Sequence, residues 1–391
     1  MSARDWLERR VLVTVGTGGV GKTTVSAAIA LEAARRGKRA LVLTIDPALR
    51  LADALGLRDL GHDAQEIPRD RLRAAGAASS GSLSAMMLDT KRTFDDLVAR
   101  FAPDEASIER IHANPIYQNL TDALAGSREY SAMERLHQLA AEGEYDLIVL
   151  DTPPAAHALD FLEAPRRLTA FLDSQILKLL FAPALALGRT GFRMFQLGSN
   201  AVLPLVERIT GMEFLRVVSE FLLAFESMLE GFTTRAREIE TLLRSPECGF
   251  VLVAGPDPMQ ARRAQEFWAR LETERIHLVG LVANRVRVWP GGPGGAPPPP
   301  LDPATRAAGA ASLTRALAER DADLDAAAVS REVAEAAWRF AASARRDRRV
   351  LGELIASLPL DTRDARVIPL FAEDVHALEA LQRMGEHVFD E

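Results

Sequence analysis

The stretch Val11-Leu12-Val13-Thr14-Val15-Gly16-Thr17-Gly18-Gly19-Val20-Gly21-Lys22-Thr23-Thr24 decides the fold of this chain. It begins with an apolar run, 11–15, that is typical of a buried parallel strand. Residues 16–23 match the pattern G-x-x-x-x-G-K-[ST], and 24–36 have the period of an amphipathic helix ending at Gly37. A strand, a glycine-rich loop and a helix in this order predict a binding site for a nucleoside triphosphate. A plain glycine-rich turn would not explain Lys22 and Thr23.

Each residue type in this loop has a task in phosphate binding. The glycines of Gly18-Gly19-Val20-Gly21 let the backbone N–H groups point inward, where the N-terminus of the following helix adds positive potential. We expect Lys22 to reach the β- and γ-phosphates and the Thr23 hydroxyl to bind Mg²⁺. Thr24 either orients the α-phosphate or is an ordinary residue of the first helical turn.

Composition and charge argue against several other classes of protein. The formal net charge of −7 disfavours non-specific binding to nucleic acid. A single cysteine, Cys248, and 7 scattered histidines argue against a disulfide framework and against a zinc site made by the protein alone. Neither a secretory signal nor an uninterrupted apolar run of membrane-spanning length is evident, so we expect a cytoplasmic protein.

Apolar strands alternate with helices along most of the chain. This alternation predicts an α/β fold, a P-loop NTPase whose mainly parallel sheet is covered by helices on both faces. Further strands are predicted at 39–45, 84–88, 146–150, 250–254, 276–283 and 366–370. Helices are predicted at 91–101, 303–319, 324–348 and 372–384, and the two Ala-rich ones within 303–348 are expected to pack on the sheet.

One region interrupts this alternation. Residues 164–245 have a helical period and are rich in Leu, Phe and Met, which predicts a helical subdomain that is inserted in the α/β fold and joined by part of 92–145. The α/β domain then comprises 1–91, 146–163 and 246–391, with a Pro- and Gly-rich loop at 289–303. Apolar residues within 192–232 either form a flexible surface for hydrophobic partners or pack as helical core.

Polar residues follow the strands at the edge where ligands of parallel sheets bind. Asp151 ends an apolar strand, where its carboxylate either holds a magnesium-bound water or belongs to a helix N-cap or a turn. Asp46 either orients the attacking water, binds the water shell of the metal or forms an Asp-Pro turn. His157 is either part of the site or structural, and Asn284-Arg285 either presents the Asn amide to the adenine edge or forms a turn.

The chain resembles the family of arsenical-pump ATPases and tail-anchored-protein targeting ATPases. This family belongs to the wider class of deviant P-loop ATPases that includes MinD, ParA and the nitrogenase iron protein. Four segments carry the resemblance, which spans nearly the whole chain. They are the phosphate loop at 18–24, a first switch at Asp46-Pro47-Ala48, a second switch at Asp151-Thr152-Pro153-Pro154 with His157, and the strand end Leu281-Val282-Ala283-Asn284-Arg285-Val286.

The resemblance implies an ATPase that uses ATP and Mg²⁺. It implies that Asp46 positions the water for hydrolysis, that Asp151 holds the magnesium shell and that His157 belongs to the switch that reports the γ-phosphate. Lys22, Asp46 and Asp151 are therefore the expected catalytic residues. Thr23, Asp46 and Asp151 are the expected residues of the metal site.

The resemblance also has implications for adenine binding and assembly. It places the adenine near Asn284-Arg285, with the backbone of Pro369-Leu370 beside the base. The family works as a nucleotide-gated dimer, and a chain with one phosphate loop implies a homodimer. Opening and closing of that dimer moves the helical subdomain, where a hydrophobic protein client or a membrane-protein partner binds. The alternatives are the energising subunit of an anion or metalloid pump and a slow ATP-dependent regulatory switch.

The sequence departs from the family pattern at several positions. Thr17 stands where the family usually has a signature lysine that reaches the phosphates of the partner subunit. Arg50 is a candidate substitute for that cation, the alternative being a solvated arginine, and Leu49 stands where a histidine is usual. Because Cys248 is the only cysteine, the chain has neither clustered thiolates for arsenite nor a zinc-bridging cysteine pair.

Overall fold

The computed structural model describes residues 3–46, 50–114, 117–118, 127–152, 229–290, 295–321, 324–361 and 364–390. The predictions made for 47–49, for His157 and for most of the helical subdomain, 164–228, lie outside these ranges. The proposed division into domains therefore stays a prediction. None of the described helices is long and apolar enough to cross a membrane.

Within the described residues, eight strands form one sheet. The strands are β1 (Val11–Gly16), β2 (Arg39–Thr44), β3 (Gln65–Glu66), β4 (Ser82–Met87), β5 (Leu147–Asp151), β6 (Cys248–Ala254), β7 (Leu278–Val286) and β8 (Ala365–Pro369). Their order across the sheet is β3-β4-β2-β5-β1-β6-β7-β8. All neighbouring strands pair in parallel except β3 and β4, so the carboxyl ends of β1, β2, β5, β6, β7 and β8 share one edge.

Helices connect the strands and lie on both sides of the sheet. The principal helices are α1 (Ala3–Trp6), α2 (Lys22–Arg35), α3 (Arg50–Leu55), α4 (Arg69–Ala74), α5 (Thr90–Phe101), α6 (Glu105–Ala113), α7 (Ser127–Glu142), α8 (Leu229–Arg244), α9 (Pro258–Thr273), α10 (Pro303–Arg320), α11 (Ala326–Ala356) and α12 (Leu378–Phe389). Helix α2 lies against β1, β2 and β5, and α12 packs along α2.

The sheet separates two hydrophobic cores. In β1, Val11, Val13 and Val15 face one core and Leu12 faces the other, because successive side chains of a strand point to opposite faces. Helices α5 to α9 and α11 cover the first core, and α2, α3, α4 and α12 cover the second. Burial on both faces explains why these strands are continuous apolar runs. The prediction of a mainly parallel α/β fold with helices on both faces is confirmed.

Helices α10, α11 and α12 differ from the prediction in their bounds or in their packing. Helix α12 spans Leu378–Phe389 instead of 372–384, because its buried face continues to Phe389 whereas 372–374 are exposed and gain nothing from helical packing. Helix α11 continues to Ala356 instead of ending at 348, since Val350, Leu351 and Leu354 remain buried. Helix α10 buries none of its residues and packs on α11, so it is α11 that reaches α9 and β7.

Candidate functional site

The phosphate loop follows β1 and ends at Gly21, a position where any residue with a side chain would be strained. Gly21 is the N-cap of α2 and has φ 89° and ψ 29°, the left-handed region. A Cβ atom at Gly21 would lie 2.4 Å from Nδ2 of Asn284, which is closer than real Cβ atoms approach a neighbour. The backbone of the loop and the end of β7 are therefore packed directly against each other. Helix α2 begins at Lys22, two residues before the predicted start, so Lys22 and Thr23 occupy its first turn.

Lys22 is buried and points back over the loop. Its Nζ atom donates hydrogen bonds to the carbonyl oxygens of Gly16, at 3.1 Å, and Thr17, at 3.2 Å. Burial lowers the pKa of Lys22, and the negative charges of Asp151 and Asp46 oppose that lowering. An ammonium group held over glycine-rich backbone by two neutral carbonyls is well placed to bind phosphate oxygens instead.

A chain of hydrogen bonds joins the first turn of α2 to the ends of β2 and β5. Oγ1 of Thr23 donates to Oδ2 of Asp151 at 2.7 Å, and Oγ1 of Thr44 donates to the same oxygen at 3.0 Å. The hydroxyl of Thr44 also accepts a hydrogen bond from the backbone N–H of Asp46 at 3.2 Å. Asp46, Asp151 and the phosphate loop, which the sequence places at three strand ends, are thus brought together at one edge of the sheet.

Asp151 is the most perturbed carboxylate of this group. Its side chain is buried, and desolvation raises its pKa to about 6, although the hydrogen bonds from Thr23 and Thr44 and the charge of Lys22 lower it. Its second oxygen, Oδ1, is buried and has no hydrogen-bond partner among the described residues. An unpaired buried carboxylate oxygen next to a threonine hydroxyl fits the water shell of a nucleotide-bound Mg²⁺.

The end of β7 is hydrogen-bonded to the backbone of the phosphate loop at Gly19 and Val20. Nδ2 of Asn284 donates to the carbonyl oxygen of Val20 at 2.8 Å, and Oδ1 of Asn284 accepts from the backbone N–H of Arg285 at 2.9 Å. Arg285 adopts a left-handed conformation, with φ 61°, and its Nη1 atom donates to the carbonyl oxygen of Gly19 at 3.2 Å. One hydrogen of the Asn284 amide and one lone pair of its oxygen remain for a ligand.

The remaining predicted residues lie close by. Pro369 ends β8 and pairs with Val286 of β7, and the backbone N–H of Leu370 donates to the carbonyl oxygen of Val286 at 2.8 Å. The chain segment Pro369-Leu370 therefore runs beside the end of β7, which carries Asn284-Arg285. Thr24 lies in the first turn of α2 and is partly exposed. Gly18 is exposed, whereas Val20 is buried in the second core.

Two hydroxyl groups in this network were not predicted from the sequence. Thr44 bridges Asp46 and Asp151, and Thr14 of β1 forms a 2.7 Å hydrogen bond with Ser26 of α2. Both threonines belong to strands, where β-branched residues are common for reasons unrelated to function. A polar residue directly after the apolar run 40–43 is the signal that the sequence offers for Thr44.

The described residues contain no cluster of three or more His, Cys, Asp or Glu side chains that could hold a metal ion. Cys248, which begins β6, is fully buried, and burial raises the pKa of its thiol to about 12. It is a core residue in this fold.

Comparison with known proteins extends these observations. Residues 9–290 match the family model described as anion-transporting ATPase. A putative arsenical pump-driving ATPase 1 from Aquifex aeolicus is 23% identical over 285 residues, which cover 71% of this chain and 63% of the relative. An ATPase get3 from Schizosaccharomyces japonicus is 27% identical over 279 residues, which cover 70% of this chain and 74% of the relative.

A shorter match is more similar in sequence. An ATPase GET3 from Malassezia globosa is 32% identical over 151 residues, which cover 38% of this chain and 40% of the relative. The matches to the Malassezia protein and to the Aquifex protein each span less than two thirds of the relative's own length. The family model, by contrast, covers most of this chain and includes the phosphate loop, Asp46, Asp151 and Asn284. The chain therefore belongs to the anion-transporting ATPase family, as the resemblance in its sequence implied.

Proposed function

We propose that this chain binds ATP with Mg²⁺ and hydrolyses it to ADP and phosphate. The observation that carries the proposal is that Asp46 and Asp151, from the ends of the separate strands β2 and β5, lie beside Lys22 and Thr23 of the phosphate loop. Phosphoryl transfer depends mainly on positioning and on electrostatic stabilisation, and this arrangement supplies both.

Each residue has a distinct role in the proposed reaction. Lys22 exchanges its two backbone carbonyls for oxygens of the β- and γ-phosphates. Thr23 and Asp151 hold Mg²⁺ and its water shell, and Thr44 keeps the Asp151 carboxylate in place. When bound, Mg²⁺ would neutralise charge on the phosphates. Asp46, which is partly exposed, orients the attacking water.

The end of β7 is the proposed base-binding side of the site. Asn284 retains one amide hydrogen and one oxygen lone pair for the edge of adenine after its contacts with Val20 and Arg285 are counted. The backbone of Pro369-Leu370 lies beside the base in this arrangement. Thr24, in the first turn of α2, is a candidate ligand of the α-phosphate.

The assembly we propose is a nucleotide-gated homodimer in which the ATP state controls a client-binding helical subdomain. The supporting observations are the single phosphate loop of the chain and the names of its relatives, which are ATPases of the GET3 type. Energising an anion pump is the second candidate, because one relative is named as a putative arsenical pump-driving ATPase. The lone, buried Cys248 argues against arsenite as the transported ion.

Steady-state ATP turnover by the purified chain tests the proposal. We expect turnover that requires Mg²⁺, is abolished by a chelator and is lost in Asp46→Asn. Asp70→Asn, which changes an exposed aspartate of α4, is the control and keeps the wild-type rate. Failure of the wild-type chain to bind or hydrolyse ATP with Mg²⁺ would contradict the proposal.

The same assay separates the client model from its alternatives. A soluble peptide with an apolar helical tail is added, and a peptide of equal length with a polar tail serves as the control. Stimulation by the apolar peptide alone supports the client-binding role. Turnover that ignores both peptides favours the pump subunit or the regulatory switch.

A further inference from the structure

The described part of the nucleotide site contains one exposed cation whose position is explained by no structural role. Arg50 begins α3, and its side chain is 67% exposed. Its Nη1 atom lies 3.4 Å from Oδ2 of Asp46. Lys22, by comparison, is buried over the loop, and Arg285 is bonded to the carbonyl oxygen of Gly19.

Arg50 lies beside Asp46, whose negative charge also acts on Lys22 of the phosphate loop. Burial is the main cause of the lowered pKa of Lys22, and the positive charge of Arg50 adds to the lowering. Both cations therefore act on the same small region, next to Asp46. Thr17, at the start of the loop, contributes no charge there: its side chain is 3% exposed, and its hydroxyl has no hydrogen-bond partner among the described residues.

The contact between Arg50 and Asp46 is weak enough to be exchanged. It joins residues four apart, with a 67% exposed guanidinium and a 27% exposed carboxylate. Exposed ion pairs of this kind contribute little to stability because water and salt screen them. A phosphate group offers a guanidinium two parallel hydrogen bonds and a larger negative charge than one carboxylate does.

We infer that Arg50 exchanges its ion pair with Asp46 for the γ-phosphate of bound ATP, so that it distinguishes ATP from ADP. The inference rests on the proposed function. With no γ-phosphate present, Arg50 stays on Asp46 and restrains the carboxylate. With ATP present, Arg50 binds the terminal phosphate and no longer pairs with Asp46.

The test is the ratio of the ATP and ADP dissociation constants, measured with Mg²⁺ by displacement of a fluorescent ADP analogue. Arg50→Ala is expected to weaken ATP about tenfold or more, since it removes charge-assisted hydrogen bonds, and to leave ADP binding unchanged. Arg50→Lys keeps the charge but not the two parallel donors. Its ATP affinity is expected to lie between those of the wild type and Arg50→Ala. Arg58→Ala, an exposed arginine beyond the end of α3, is the matched control and keeps the wild-type ratio.

The outcomes separate this inference from the function on which it rests. If Arg50→Ala binds ATP and ADP with the wild-type ratio, the inference is overturned while the ATPase assignment stands. An equal weakening of both nucleotides also overturns it, because Arg50 would then shape the loop and not sense the γ-phosphate. If the wild-type chain binds neither nucleotide, both the inference and the proposed function are wrong. Thermal unfolding of each variant checks that the exposed substitution leaves the fold intact.

Discussion

Thr23 and Asp151 lie 128 residues apart in the chain and are joined by a 2.7 Å hydrogen bond from the threonine hydroxyl to the carboxylate. The bond links the first turn of α2 to the end of β5. It sets the distance between the two groups proposed to hold Mg²⁺. The threonine hydroxyl therefore holds the carboxylate beside the phosphate loop.

Asp151 is expected to make stability depend on pH. Its pKa is raised to about 6 from an ordinary value of 3.8, so the folded state binds more protons than the unfolded state between these values. Stability then falls as the pH rises through this interval, and the loss persists above pH 6. The groups that face the carboxylate are Thr23, Thr44, Lys22 and Asp46. We predict that Asp151→Asn stabilises the nucleotide-free protein at pH 8 by roughly 1–3 kcal/mol and has little effect at pH 4.

Urea unfolding at both pH values measures this effect. Asp146→Asn is a control of opposite sign, because the side-chain hydrogen bond from Arg39 holds the pKa of Asp146 below its ordinary value. Its contribution is present above the unfolded pKa of 3.8 and is lost only as the pH falls through the lower folded pKa, so this variant should destabilise the protein at pH 8 and still do so at pH 4. If Asp151→Asn is less stable than the wild type at pH 8, the prediction for Asp151 is wrong.

Gly21 is expected to be irreplaceable for a reason that can be separated into two parts. Alanine at Gly21 incurs the left-handed backbone strain, φ 89°, and also meets Nδ2 of Asn284 at 2.4 Å. Gly19 also has a positive φ, 77°, but a Cβ there meets nothing within 4 Å, so Gly19→Ala isolates the strain. We predict a loss of about 1 kcal/mol for Gly19→Ala and of about 2–4 kcal/mol for Gly21→Ala in the free energy of unfolding.

A double-mutant cycle isolates the contribution of the clash with Asn284. In an Asn284→Ala background the clash is absent, and Gly21→Ala should then cost about as much as Gly19→Ala. Chemical denaturation of the four proteins in the cycle gives the coupling energy. Additive effects of Gly21→Ala and Asn284→Ala would show that Asn284 does not press on the loop.

A buried ion pair joins α7 and α8, which precede and follow residues 153–228 in the chain. Nε of Arg235 in α8 lies 3.0 Å from Oε1 of Glu134 in α7, and both side chains are nearly inaccessible to water. Burial raises the pKa of Glu134, and the charge of Arg235 lowers it. Because Arg235→Met leaves a buried carboxylate without its partner, we predict a loss of about 3–5 kcal/mol in the free energy of unfolding.

The matching substitution should recover part of that loss. Glu134→Gln removes the uncompensated charge, so the double variant with Arg235→Met is expected to be more stable than Arg235→Met alone. Arg237→Met, an exposed position on the same helix, is the control and should change stability by less than about 0.5 kcal/mol. Equal effects at Arg235 and Arg237 would refute the structural role of the pair.

The sequence predicts the sheet well because its strands are buried on both faces. Such strands are continuous apolar runs, and the predicted and observed limits of β1, β2 and β5 agree to within one residue. The end of the chain is predicted less well. The start of α12 is displaced because its burial against α2, which fixes the helix, depends on contacts that are distant in sequence.

The site shows the same division between local and distant information. Lys22 and Thr23 follow from a contiguous motif, and Asp46 and Asp151 follow from their place at strand ends. The bond between Asn284 and the Val20 carbonyl spans 264 residues and has no local signature, and the bridge made by Thr44 depends on the neighbouring strands β2 and β5. Sequence patterns locate residues at an edge of the sheet but do not specify which of them bond to each other.

The central claim is that Thr23 and Asp151 form the metal side of a Mg·ATP site. Calorimetric titration of ATP into the wild-type chain and Thr23→Val, each with Mg²⁺ and with a chelator, tests it most directly, because valine keeps the shape of threonine and removes the hydroxyl. We predict that Thr23→Val weakens ATP about tenfold or more in Mg²⁺ and leaves the affinity in chelator unchanged. Equal affinities of the two proteins for ATP in Mg²⁺ would contradict the claim.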